Sequence, residues 1–200
     1  MTRGTTTALR AALATGALAI LGCSAATPPP GGRLAANQQL LASEAVDRAL
    51  AQIELPDFRG RKVYVDIGSP AGEDETRYLH SAVVAAVAEH GGKVTPDLKV
   101  ADYAVVVLGK AVGVEEDKTF FGIPSLQSSF LPVGLPEIAL YKSTESKGIA
   151  KLETVVASRK GGHVVRNGPV ESQTWIKEKS VLLFGSTDTN APDVQAALAR

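Results

Sequence analysis

The chain has 200 residues, with 21 basic and 21 acidic side chains and a formal net charge of zero at neutral pH. That balance leaves no basic face of the kind that phosphate recognition requires, so nucleic acid is excluded as a partner. Apolar residues make up 44% of the chain and cysteine occurs once, so a domain-sized core can form but an intrachain disulfide cannot.

Arg3 and Arg10, with no acid among them, precede the apolar stretch from Ala11 to Leu21, which ends in Gly22-Cys23. Positive charge, short apolar run and small residue, in that order, predict a secretory leader over residues 1–22; the run is well short of the roughly 20 residues that a spanning helix needs. Ile20-Leu21-Gly22-Cys23 resembles a bacterial lipobox. The resemblance implies that the leader is cut before Cys23 and that the cysteine carries diacylglycerol on sulfur and an acyl chain such as palmitate on its amine. Ser24-Ala25-Ala26 also fits an ordinary signal cleavage site, which would remove Cys23 and release the protein. A lone cysteine at the end of the apolar run favours lipidation. Ser24 in the next position resembles the sorting pattern of Gram-negative lipoproteins held on the periplasmic face of the outer membrane. Without the leader the balance is 19 basic against 21 acidic residues.

Residues 23–37 follow as a lipidated tether. Pro28-Pro29-Pro30 is stiff and Gly31-Gly32 is loose, a composition that spaces a folded domain from its anchor. A first helix is predicted from Gln38 to Ile53, because Ala42, Val46, Ala49, Leu50 and Ile53 fall on one stripe. Leu55-Pro56 ends it. Val63, Val65 and Ile67 alternate with Tyr64 and Asp66, which predicts a strand over 62–67. Ser69-Pro70 reads as the cap and first residue of a second helix, with Glu73, Asp74 and Glu75 at its positive end and Gly91-Gly92 stopping it.

A short strand is expected around Val94, then a longer one from Asp102 to Val114. Its Tyr103–Leu108 centre is apolar on both faces, which predicts a central position in the sheet. Residues 118–136 are rich in Phe and Pro and read as an irregular loop. Further strands are expected near Ile138, over Gly148–Ala157, over His163–Arg166 after the turn Arg159–Gly162, and over Ser172–Phe184. The domain is placed at 38–187 and a polar, flexible tail at 188–200. The fold class is therefore α/β, a two-layer domain in which a mixed sheet packs against two main helices.

Arg61–Asp66, the helix ending at Gly91-Gly92, and Ala101-Asp102-Tyr103 opening an apolar strand resemble the TolB amino-terminal domain and the periplasmic domain of curli-secretion lipoproteins. Tyr141-Lys142-Ser143 through Gly148–Leu152 resembles small bacterial lipoproteins of this layout. The resemblance implies a fold and an envelope location, and no particular activity.

Catalytic and metal chemistry finds little material. His80 and His90 are ten residues apart on one helix and fall on different faces, and His163 is remote. There is no Gly-x-Ser-x-Gly elbow and no Ser-x-x-Lys, and Cys23 is consumed by lipid. No enzyme activity, cofactor or metal is expected. Two candidate sites remain. Phe120, Phe121, Ile123, Phe130 and Leu131 place large apolar groups in the 118–136 segment, either as an exposed contact for an envelope protein or folded back as core. Asp66 at a strand end, with Glu73 and Asp74 beyond it, forms the densest acidic group; it is either a small-ligand or cation site or a solvated helix start. The expected function is non-enzymatic protein–protein contact by a lipid-anchored periplasmic domain, with ligand or cation binding as the alternative.

Overall fold

A computed structural model describes residues 36–125, 137–182 and 184–198. In chain order it contains helix α1 (Ala36–Leu50), strand β1 (Lys62–Gly68), helix α2 (Glu73–Glu89), strand β2 (Lys93–Val94), a 3-10 turn (Leu98–Val100), strands β3 (Tyr103–Ile123), β4 (Ile138–Ser158), β5 (Val164–Val181) and β6 (Phe184–Thr189), and helix α3 (Pro192–Leu198). One six-stranded mixed sheet has the order β2-β1-β3-β4-β5-β6. Strand β1 runs parallel to β2 and β3, and the remaining neighbours are antiparallel.

The stripe predicted for the first helix is buried at Ala42, Val46 and Ala49, with Leu50 half-buried, and Leu41 and Ala45 extend it. Leu41, Ala42, Ala45, Val46 and Ala49 of α1, and Leu79, Val83 and Val87 of α2, face the sheet. Ala45, Val46 and Ala49, with the three α2 residues, meet Val63 and Val65 of β1, Val105 and Val107 of β3, and Ala150, Leu152 and Val156 of β4. Helix α1 ends at Leu50, three residues earlier than expected, because Gln52 and Ile53 bond to the carbonyls of Ala49 and Leu50 in tighter three-residue turns. Ile53 is nevertheless buried.

Helix α2 begins later than the Ser69-Pro70 reading. Its cap is Gly72, with no side-chain bond, and the Ser69 hydroxyl instead accepts from the amide of Ala71 at 3.2 Å. A serine can serve its own turn as readily as a helix end. At the other end Gly91 takes φ 79 and its amide reaches the carbonyl of Ala88 at 2.9 Å, the expected glycine stop.

Three other expectations are corrected by the sheet. Strand β3 runs on through residues 118–123, so Phe120, Phe121 and Ile123 lie on a strand and not on a loop, paired with Lys142, Tyr141 and Ile138. The segments expected separately at 138 and at 148–157 are one strand, and those at 163–166 and 172–184 form one strand that ends at Val181, with Phe184 opening β6. Polar residues broke the sequence pattern, while bulges at Gly109/Ala111, Phe121/Gly122 and Leu152/Thr154 keep the long ladders aligned.

The polar end of the chain is folded. Asn190 accepts from the amide of Trp175 at 2.7 Å and donates to the carbonyl of Gln173 at 3.2 Å, and the Thr189 hydroxyl donates to Trp175 at 2.6 Å. These side chains continue the edge of β5 where the ladder stops, and they bring Ala191 and Val194 into a small core with Leu41 and Ile176. The flexible tail expected at 188–200 is thus strand and helix through Leu198.

Candidate contact surfaces of the sheet

Both main helices pack on one face of the sheet, and among the described residues no element covers the other. That open face is best read row by row across the strands. Near the start of β3, Tyr64, Ala104, Ala157 and Val164 stand in register. Gly68, Leu108 and Glu153 form a row at the other end of β1, with Val106 and Val155 between. Val106 and Val155 are half-buried, Leu108 is 38% exposed and Val164 64%. The expectation that the β3 centre is apolar on both faces holds in composition. Burial differs, because within this stretch Val105 and Val107 are fully buried under the helices and Tyr103 partly so.

A buried carboxylate borders this apolar area. Glu153 is 1% exposed and is held by Lys110 at 2.5 Å and by Arg166. The hydrogen bond from Lys110, with further help from Arg166, holds its carboxyl below the usual carboxylate range, against burial, which pushes it up. Beyond it the open face becomes a belt of ion pairs: Lys151 with Glu171 at 3.1 Å, Lys177 with Glu145 at 2.7 Å, and Lys147 with Glu145 at 3.1 Å.

Past the belt the face turns apolar again. Phe121, Tyr141, Val181 and Phe184 form one row across β3, β4, β5 and β6. Phe121 is 68% exposed, Val181 51% and Phe184 81%. Ile123 pairs with Ile138 just beyond, and Leu140 and Leu182 are exposed at the same end, Leu182 at φ 55 in the turn between β5 and β6. Phe120 sits on the helix side of this tip and is also exposed. Of the five apolar residues singled out in the sequence, Phe120, Phe121 and Ile123 are therefore surface residues and not core. Phe130 and Leu131 lie outside the described residues. Sequence reasoning missed Ile138, Tyr141, Val181 and Phe184, which lie far from Phe121 along the chain and join it only through register.

The acidic candidates come together differently. Asp66 and Glu73 line a shallow hollow between β1 and α2 with Thr76, Arg77 and His80. Arg77 bonds Glu73 at 2.7 Å and lies 3.5 Å from Asp74, so a guanidinium already neutralises the helix start. Among the described residues no group of three His, Cys, Asp or Glu side chains is arranged to hold a metal. His90 bonds the carbonyl of Ala86 at 2.8 Å, closing its own helix, and His163 is exposed in the turn before β5. Cys23 lies outside the described residues. Among those described, no helix is long and apolar enough to cross a membrane.

No known family profile and no curated protein matches the chain. Among solved structures it is similar to the lipoprotein GNA1162 from Neisseria meningitidis, at 10% identity and a TM-score of 0.31, over 70% of this chain and 93% of that one.

Proposed function

We propose that this protein is anchored in the bacterial envelope by lipid on Cys23 and works, without catalysing a reaction, by binding another envelope protein through the open face of its sheet. The lipobox-like Ile20-Leu21-Gly22-Cys23 supports the anchor, and Ser24 favours the periplasmic face of the outer membrane. The observation that carries the contact is the uncovered apolar area around Val106, Leu108, Val155 and Val164. An exposed sheet face is ordinarily polar, and a contiguous apolar area rimmed by charge marks a protein interface. Here Lys110, Glu153 and Arg166 supply the rim.

The test is crosslinking in native membranes, comparing the wild-type chain with a Leu108→Gln/Val164→Glu variant. Both side chains are exposed, so the variant keeps its stability to within about 1 kcal/mol. A discrete protein adduct formed by the wild type and lost in the folded variant is the expected result. Equal adducts from both, or none from either, would sink the contact reading.

A further inference from the structure

We infer that the far tip of the sheet, the row Phe121, Tyr141, Val181 and Phe184 with Ile123 and Ile138 beyond it, rests on the lipid surface that holds the protein's own anchor, dipping into the headgroup boundary. The inference rests on the lipid anchor of the proposed function and is independent of the protein contact. Helix α1 opens beside this tip: the Gln38 side chain donates to Glu116 of β3 at 3.0 Å, and Glu116 is five residues from Phe121 on the same strand. At about 3.4 Å per strand residue the helix start is about 17 Å from the tip row and about 44 Å from Tyr103 at the opposite end.

Residues 24–35 separate Cys23 from α1. A chain of that length reaches about 40 Å when fully extended. That reach covers the about 17 Å to the tip row and falls just short of the about 44 Å to the opposite end.

Composition by rows fixes the depth. The tip row and the Ile123–Ile138 pair are apolar, whereas the next row inward on the same face is Thr119, Ser143, Lys179 and Ser186, and the one after is Asp117, Glu145, Lys177 and Asp188. On the open face the apolar zone is two to three residues deep, about 7–10 Å, which matches the burial of interfacial elements at about 5–10 Å. On the helix side Phe120 stands in a row with Lys142 and Ser180. A spanning strand needs an apolar band of about 25 Å, which these charged rows exclude.

Electrostatics adds little pull. Lys142 pairs with Glu137 at 2.9 Å, Lys118 with Glu116 at 2.6 Å, and Lys179 lies 3.7 Å from Asp188. The tip therefore engages by apolar insertion, on neutral lipid as well as anionic, and exposed aromatic side chains suit that boundary.

The test uses the full chain, acylated in a lipoprotein-processing bacterial host and reconstituted into phosphatidylcholine vesicles. In a Trp175→Phe background, Phe184→Trp reports from the tip and Leu98→Trp, an exposed position at the opposite end, reports from the control site. Flotation with the vesicles is scored first, then quenching by lipids brominated shallow or deep along the acyl chain. The expected result is flotation of both, with the tip tryptophan blue-shifted and quenched at least twofold by the shallow bromines, and the control unquenched. Flotation with equal, weak quenching at both positions overturns the tip inference and leaves the anchor standing. A blue shift without quenching assigns the tip to a second copy of the chain or another protein and also overturns it. Failure to float overturns the anchor and this inference together.

Discussion

The two halves of the sheet share strands β3, β4 and β5 but are stabilised in different ways. Near the start of β3, helices α1 and α2 cover one face, and Leu79, Val83, Val105, Leu152 and Phe58 form a continuous buried cluster. Toward the tip, among the described residues, Leu41, Ile176, Ala191 and Val194 are buried together, under the start of α1 and against α3. The thick half follows the usual rule that one face packs and folds the domain. The thin half relies on long ladders and ion pairs, and leaves Phe121, Val181 and Phe184 exposed in its last rows.

Cavity substitutions should expose that difference most strongly. Leu79→Ala removes a fully buried side chain from the thick half and is expected to cost about 3–5 kcal/mol, read as a lowered unfolding midpoint for the whole domain. Leu41→Ala deletes the same atoms from the thin half, where neighbours can collapse, and should cost about 2–3 kcal/mol. Its signature is local: faster amide exchange in β6 and α3 with the β1–α2 region unchanged. Equal global losses from both variants would break the comparison.

Gly148→Ala tests how the thin half holds its helix. A Cβ there would come 2.3 Å from the carbonyl oxygen of Leu41, which also accepts from the buried Thr174 hydroxyl at 2.7 Å. Helix α1 must move to admit it, at a cost of about 1–3 kcal/mol. Denaturant unfolding checks the magnitude, and an unchanged midpoint would show that the helix is not seated on β4.

Glu153 marks the boundary between the halves and gives a pH signature. Its folded carboxyl is held low by Lys110 and Arg166, so its stabilisation is fully present above the ordinary value of 4.5 and fades as pH falls through the lowered folded value. Melting curves taken from neutral pH down to strongly acidic buffer should fall more steeply for wild type than for Glu153→Gln. The variant should already be the less stable at neutral pH, because it leaves the Lys110 and Arg166 charges unanswered.

How far the sequence disclosed this arrangement depends on whether a signal is local. Helix stripes such as Ala42-Val46-Ala49, the β1 alternation and the Gly91-Gly92 stop are set by neighbours within a turn, and the two-layer α/β class followed from them. The tip was half visible: Phe120, Phe121 and Ile123 stood out by composition, but their environment depends on pairing with Ile138, Tyr141, Val181 and Phe184, which no local pattern encodes. The same limit made the long strands look broken, since the predicted strand stopped at Val114 before the charges of Glu115–Lys118, although Glu115 and Asp117 pair with Lys147 and Glu145 across the ladder. The folded end escaped notice because Asn190 holds it by bonding the backbone of β5, fifteen residues back.

The smallest expected effect concerns the join between the two helices over the thick half. The Tyr78 hydroxyl of α2 bonds both carboxylate oxygens of Asp47 in α1, at 2.9 and 3.0 Å. Partial burial, followed by that bond to an anion, pushes its phenol from the ordinary 10.0 up to about 12. A raised folded value means that the stabilisation is complete below pH 10 and is lost as pH rises through about 12. Tyr78→Phe should cost only about 0.5–1 kcal/mol at neutral pH, since the pair is exposed. It should also remove the corresponding part of the alkaline loss between pH 10 and 12. If instead the variant unfolds as readily as Leu79→Ala, the helices are joined by this bond more than by their shared core, and the thick half is not the self-sufficient unit that its packing describes.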